Sequence, residues 1–212
     1  MRLRSGAGDR RNYYRIPITI LVVLLNLAAS PCSNAQQSKP ENNILIVYLS
    51  RTKNTKAVAE MIQKFTGGEL VELEVENPYP DDYQTTVNQV EAENESGFLP
   101  ALKTKVNIEK YNTVFIGFPT WGMQLPPPMK SFLNRFDLSG KTVIPFNTHA
   151  GFGVGSGFDT VKELCPNSKI LEGLSMEGGY EKKGVYLAVK GEKEAEAEKE
   201  VESWLKKIAI LN

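Results

Sequence analysis

Short apolar runs alternate along the chain with stretches whose apolar residues recur at helical spacing. Ile44–Ser50 is apolar except at its end and predicts a strand buried on both faces. A helix follows on which Val58, Ala59 and Ile62 share a side. Glu69–Glu76 alternates between polar and apolar positions, as a half-exposed edge strand does. Residues 81–96 are polar, with Tyr83, Val87 and Val90 at spacings of four and three, predicting a helix on the solvent side. Thr113–Phe118 and Thr142–Asn147 predict two further buried strands, with a helix through Met129, Phe132, Leu133 and Phe136 between them. A helix near 158–164, a fifth strand over 168–175 and an amphipathic helix over 192–208 complete the pattern. In that last helix Val201, Trp204, Leu205 and Ile208 should face inward. Such alternation predicts an α/β fold: a doubly wound, five-stranded parallel sheet with helices on both faces.

Ligands of such sheets bind beyond the carboxyl ends of the strands. Three unusual loops fall at that end: 50–56, 119–125 and 148–157. The first is polar and enters a helix, so it gathers free backbone N–H groups at the positive end of a helix dipole, an anion site. Ser50, Thr52 and Thr55 add hydroxyls there, and Asn54 can both donate and cap. The loop lacks G-x-x-x-x-G-K-[ST], so it suits a single terminal phosphate better than a nucleoside triphosphate. The second loop sets Trp121 at an exposed strand end between Pro119-Thr120 and Gly122, an odd place for a core aromatic. The third carries Phe152 and the single histidine, His149, expected to give a structural hydrogen bond or simply to point to water. Its glycines Gly151, Gly153, Gly155 and Gly157 would permit close backbone approach to a planar ligand. A phosphoacceptor module needs an Asp closing the middle strand, where Ser50, Pro119 and Thr148 stand instead. There is no G-x-S-x-G elbow for serine hydrolysis.

Composition changes the picture at the front of the chain. Residues 1–15 carry five Arg against one Asp, and Ile18–Leu25 is an apolar core too short to span a bilayer. Ser33-Asn34-Ala35 then offers the small residues a signal peptidase reads. Residues 1–35 therefore predict a cleaved signal peptide, 36–42 a flexible lead-in, and 43–212 the folded domain. The expected destination is outside the cytoplasm, in the periplasm, with no membrane span in the mature chain. Lipid attachment at Cys32, which follows Pro31, is the alternative. Asp9–Arg15 resembles a twin-arginine export motif, a route that carries folded proteins. Cleavage leaves 20 basic and 24 acidic residues, and a mildly acidic domain argues against nucleic acid as partner. It also leaves Cys165 alone, so no internal disulfide forms; before Pro166 at a helix end it reads as a core thiol.

The loops together resemble those of flavodoxins. Ser50-Arg51-Thr52-Lys53-Asn54-Thr55 resembles the flavodoxin phosphate loop, S/T-x-T-G-N-T, and Phe118–Gly122 resembles the second loop, whose Trp covers the isoalloxazine. Pro126–Met129 and Thr148–Gly153 look like matching segments of a bacterial flavodoxin-like family. The resemblance, from Asn43 onward, implies bound FMN and one- or two-electron transfer. It implies that residues 50–55 hold the phosphate, that Pro119, Thr120, Trp121 and Gly122 line the ring, and that His149, Gly151, Phe152 and Gly153 meet its pyrimidine end. Lys53 departs from the pattern: it would be strained if its φ is positive, while its charge would pair with the phosphate. Neither ring-facing loop contains Asp or Glu, which predicts a second-electron potential above that of the usual low-potential flavodoxin. An exported electron carrier serving a redox partner protein or small acceptor is the expected function. An FMN-dependent reductase of quinones or similar acceptors is the alternative.

Overall fold

In strand β1 (Ile44–Tyr48) side chains alternate between two buried cores: Leu45 and Val47 on one face, Ile46 and Tyr48 on the other. That double burial marks a central strand of a parallel sheet. The computed structural model describes residues 43–212, so the expected signal peptide, the lead-in and Cys32 lie outside the described residues. Strands β2 (Glu69–Glu72), β3 (Thr113–Pro119), β4 (Thr142–His149), β5 (Lys169–Ile170) and β6 (Leu174–Glu177) complete the sheet. All named strands pair in parallel, in the order β2-β1-β3-β4-β5, with β6 also on β4.

Helices α1 (Asn54–Thr66) and α5 (Glu192–Lys207) cover one face through Val58, Ile62, Val201 and Leu205. Trp204 seals that side, donating from Nε1 to Glu172 O at 2.9 Å and meeting Phe115 edge-on at 5.9 Å. Helices α3 (Pro127–Arg135) and α4 (Gly157–Leu164) cover the other face, where Met129, Phe132 and Val161 are fully buried. Helix α2 (Tyr83–Ser96) packs on α3, capped by Asp82, whose Oδ1 accepts the Thr85 N–H at 2.8 Å. Its inward residues are Thr86, Val90 and Glu93, while Val87 is exposed. Cys165 is buried at the end of α4, and burial raises its thiol to about 11, consistent with a core thiol. No helix among the described residues is long and apolar enough to cross a membrane.

Two strands depart from expectation. The edge strand stops at Glu72 rather than Glu76, because the following residues pair elsewhere: Val75 bridges antiparallel to Leu102, and Glu76 N–H donates to Ala101 O at 2.9 Å. The fifth strand is broken into β5 and β6. Leu171 N–H reaches Val143 O at 3.0 Å, and the next rung of a parallel ladder would run from the N–H of residue 145 to Leu171 O. Pro145 has no N–H, so the ladder lapses there and resumes at Phe146 with Leu174. At its carboxyl end β4 runs on to His149, which places Thr148 and His149 on the sheet rather than in the loop.

Candidate functional site: a cleft at the carboxyl ends of the strands

At the entry to α1, Lys53 occupies the N-cap position with φ 67° and ψ 0°, a left-handed conformation without a side-chain cap. Ser50 Oγ accepts the Lys56 N–H at 3.2 Å, while the backbone N–H groups of Asn54 and Thr55 have no acceptor among the described residues. Both residues are nearly fully buried. N–H groups without an acceptor among the described residues, at the positive end of a 13-residue helix, make an anion cradle. The donor set therefore fits a terminal phosphate.

The side chains of this loop are used differently from the expectation. Thr55 Oγ1 is buried against Thr148 Oγ1 at 2.8 Å, tying α1 to β4. The Asn54 amide donates to Thr52 Oγ1 at 2.9 Å and to Tyr186 O at 2.6 Å. Its Oδ1 in turn accepts the N–H groups of Ala188 at 2.8 Å and Val189 at 3.2 Å. The Arg51 guanidinium, expected to face the phosphate, is spent inside the protein. Nε and an Nη group grip the Glu181 carboxylate at 2.8 and 2.9 Å, and the remaining N–H groups go to Pro80 O, Asp81 O and Thr86 Oγ1. Lys56 Nζ lies 3.5 Å from Glu72. Of the three cations in and beside this loop, Arg51, Lys53 and Lys56, only Lys53 lacks a carboxylate partner among the described residues.

The second loop leaves β3 as a two-residue reversal. Trp121 and Gln124 exchange backbone bonds of 3.4 and 3.0 Å, and the residues between them, Gly122 and Met123, both have positive φ, 56° and 59°. This is a type I′ turn, and the β-carbon of Met123 makes it strained. Tyr79 braces Trp121 edge-on, with centroids 5.2 Å apart. The third loop is bound to the second. Thr120 Oγ1 donates to Gly153 O at 2.9 Å, Ser156 N–H donates to Met123 O at 3.0 Å, and Gly155 packs so closely that a β-carbon would stand 2.0 Å from Met123 O. A β-carbon on Gly157 would stand 2.6 Å from the Phe118 ring. Gly155 and Gly157 thus serve packing of protein on protein, not the expected approach to a planar ligand.

These loops wall a cleft of about 720 Å³. Of the expected residues, Thr52, Asn54, Thr120, Trp121, His149 and Phe152 line it, as do Arg51, Pro119 and Gly122. Ser50, Lys53, Thr55, Gly151 and Gly153 stand behind or beside it. His149 Nδ1 accepts the Gly151 N–H at 3.1 Å, which leaves Nε2 to carry the proton of the neutral ring. Burial holds its pKa below the ordinary histidine value, against an opposing pull from Glu177. Phe152 is 64% exposed and meets Tyr180 edge-on at 5.7 Å.

Two walls of the cleft escaped the sequence reading. Helix α2 contributes Tyr83, Val87, Val90, Glu91, Asn94 and Glu95, and the segment after β6 contributes Gly178–Glu181. The ring-facing loops lack carboxylates, but the α2 wall brings Glu91 and Glu95 onto the same cleft, while Glu181 is neutralised by Arg51. The available signal was length: residues 178–191 join strand to helix with no periodic pattern, and such long connections tend to be functional. Asn147 is a buried hub also missed; its amide donates to Phe118 O and Thr120 Oγ1, each at 3.0 Å.

Comparison with known proteins agrees with this geometry. A crystal structure from Bacteroides eggerthii DSM 20697, assigned as a flavoprotein, is 29% identical with a TM-score of 0.62, covering 78% of this chain and 97% of that one. A second such structure, from Bacteroides uniformis ATCC 8492, is 25% identical with a TM-score of 0.61, covering 77% and 97%. A flavoprotein from Lactobacillus acidophilus NCFM, crystallised in complex with FMN, shares the fold at 22% identity and a TM-score of 0.56, covering 62% and 91%. No curated protein matches. The pattern of the flavodoxin family matches residues 43–190, and the chain belongs to that family.

Proposed function

We propose that this chain is an FMN-binding electron-transfer protein working outside the cytoplasm. The observation that carries the reading is that the N–H groups of Asn54 and Thr55, at the start of α1, have no acceptor among the described residues, at the margin of a cleft that Asn54, Trp121 and Phe152 line. FMN supplies one- and two-electron redox chemistry when bound. The Asn54 and Thr55 N–H groups and the Thr52 hydroxyl would hold its phosphate, with Lys53 adding charge from outside the cradle. Trp121, fixed by Tyr79 and by its bonds to Gln124, would lie against one side of the ring system. His149 would present Nε2–H toward the ligand, oriented by the Gly151 N–H on Nδ1. Pro119, Thr120 and Gly122 would close the ring side, with Gly151, Gly153 and Phe152 at its pyrimidine end. Ser50 and Thr55 would act by fixing the first turn of α1 through Lys56 N–H and Thr148.

A second reading is an FMN-dependent reductase of quinones or similar acceptors. It is favoured by the extension of the cleft along α2, where Val87, Val90 and Met123 offer apolar surface beside the ring loops. Saturable, substrate-selective turnover with a nicotinamide reductant would support it over a carrier.

Export rests on the arginine-rich start, the short apolar core and Ser33-Asn34-Ala35. Purified protein should carry yellow, releasable FMN and begin at Gln36. Charge-assisted bonds contribute about 1.5–3 kcal/mol each, so losing two of them with the phosphate should weaken riboflavin binding about 100-fold or more relative to FMN. Equal affinity for the two flavins in a fluorescence titration would sink the role given to residues 50–55.

A further inference from the structure

Lys130 lies in the first turn of α3, behind the Trp121–Gln124 turn. Its Nζ donates to Asn94 Oδ1 at 2.9 Å and to Gln124 Oε1 at 3.2 Å. No carboxylate among the described residues pairs with it, although Glu91 and Glu95 stand on the same cleft. The ammonium is half-buried, and burial pulls its pKa below the ordinary lysine value.

An ammonium can only donate, so both amides must turn their oxygens to it. Their NH₂ groups then face other ways. Asn94 Nδ2 has no acceptor in the described protein and stands 3.9 Å from where a β-carbon on Gly122 would lie. Gln124 Nε2 likewise has none. Both residues line the cleft. One stretch of its wall therefore combines amide donors that have no acceptor among the described residues with a cation, without a carboxylate partner among them, one contact behind. Such an arrangement interacts more strongly with charge in a partly dry cleft than it would in water.

We propose that Lys130 is a positioning residue for the redox ligand: it fixes Asn94 and Gln124 with their N–H donors toward the cleft, and the wall so built, beside the turn that lines one side of the ring, favours the flavin once its ring gains negative charge. This rests on the flavin reading above. The oxidised ring carries less negative charge and draws less from the wall, so the effect falls on the potential rather than on binding of oxidised FMN.

The test is the midpoint potential of the FMN-loaded protein, titrated with dithionite against a reference dye, for wild type, Lys130→Met and Lys130→Arg. Lys130→Met should lower the ratio of reduced to oxidised flavin affinity about tenfold, which is about 30 mV for a two-electron couple. Lys130→Arg should retain most of the wild-type potential, and the Kd for oxidised FMN should change less than about threefold in either variant. In the flavin-free protein the side-chain NH₂ resonances of Asn94 and Gln124 should shift in Lys130→Met. If Lys130→Met fails to fold, Gln124→Met keeps the cation, removes one donor and should also lower the potential. An unchanged potential, or equal drops in the Met and Arg variants, overturns the proposal. Protein that takes up no FMN overturns this and the functional reading together, whereas bound FMN with an unshifted potential overturns this alone.

Discussion

At Lys53 the backbone runs at φ 67°, a left-handed conformation that costs an L side chain about 1–2 kcal/mol and glycine far less. The side chain that causes this strain is also the loop's one cation without a carboxylate partner among the described residues. Replacing it should move two properties in opposite directions. Lys53→Gly should raise the stability of the flavin-free protein by roughly 1 kcal/mol, read from thermal unfolding, while FMN binds more weakly and riboflavin as before. If both flavins bind the variant as they bind wild type, the ammonium does not read the phosphate. The departure at Lys53 was legible in the sequence, because a known loop pattern has glycine there. The commitment of Arg51 was not, because its partner Glu181 lies 130 positions along the chain and nothing local marks it.

At the scale of elements, the loops after β3 and β4 act as one piece, since Ser156 and Gly155 lock onto the Met123 carbonyl and Thr120 onto Gly153. A side chain at Gly155 would meet backbone at 2.0 Å, and its φ of 60° adds strain whatever the space. Gly155→Ala should therefore cost about 1–3 kcal/mol in urea unfolding and alter Trp121 fluorescence through the shared turn. A variant as stable as wild type would show that the two loops are not coupled. Strands and helices were mostly readable from periodicity because each buries a regular face, as β1 does with its alternating pair of cores. The exceptions have local causes. Pro145 was visible in its strand, but its effect falls on the neighbouring strand, where it removes one rung. The turn at Gly122-Met123 lacks the Asn-Gly or Asp-Gly pair that marks type I′ reversals, so only the backbone reveals it. The α2 wall was read as a solvent helix since its polar residues face a cleft, and a cleft is solvent as far as composition can tell.

For the molecule as a whole, parallel topology brings three loops to one end of the sheet, and this much followed from the order of strands and helices alone. What closes the cleft does not follow from order, because it depends on contacts between the first loop and the stretch after β6. Arg51 holds Glu181 across 130 positions, and Asn54 holds Ala188 across 134. Closing chain segments of that length carries an entropic cost that must be met before either contact stabilises anything. These contacts should accordingly form late in folding and give way early, as a sub-global opening that leaves the central strands intact. The amides of Ala188 and Val189, both bonded to Asn54 Oδ1, report that event directly. In native-state hydrogen exchange they should exchange well ahead of the β1 amides, and FMN should slow them selectively. Exchange at the rate of global unfolding would instead mark residues 178–189 as part of the rigid body. On this account a ligand leaves through a clasp that opens while the sheet stays folded, and its residence time is governed by the Asn54 amide and the Arg51–Glu181 pair.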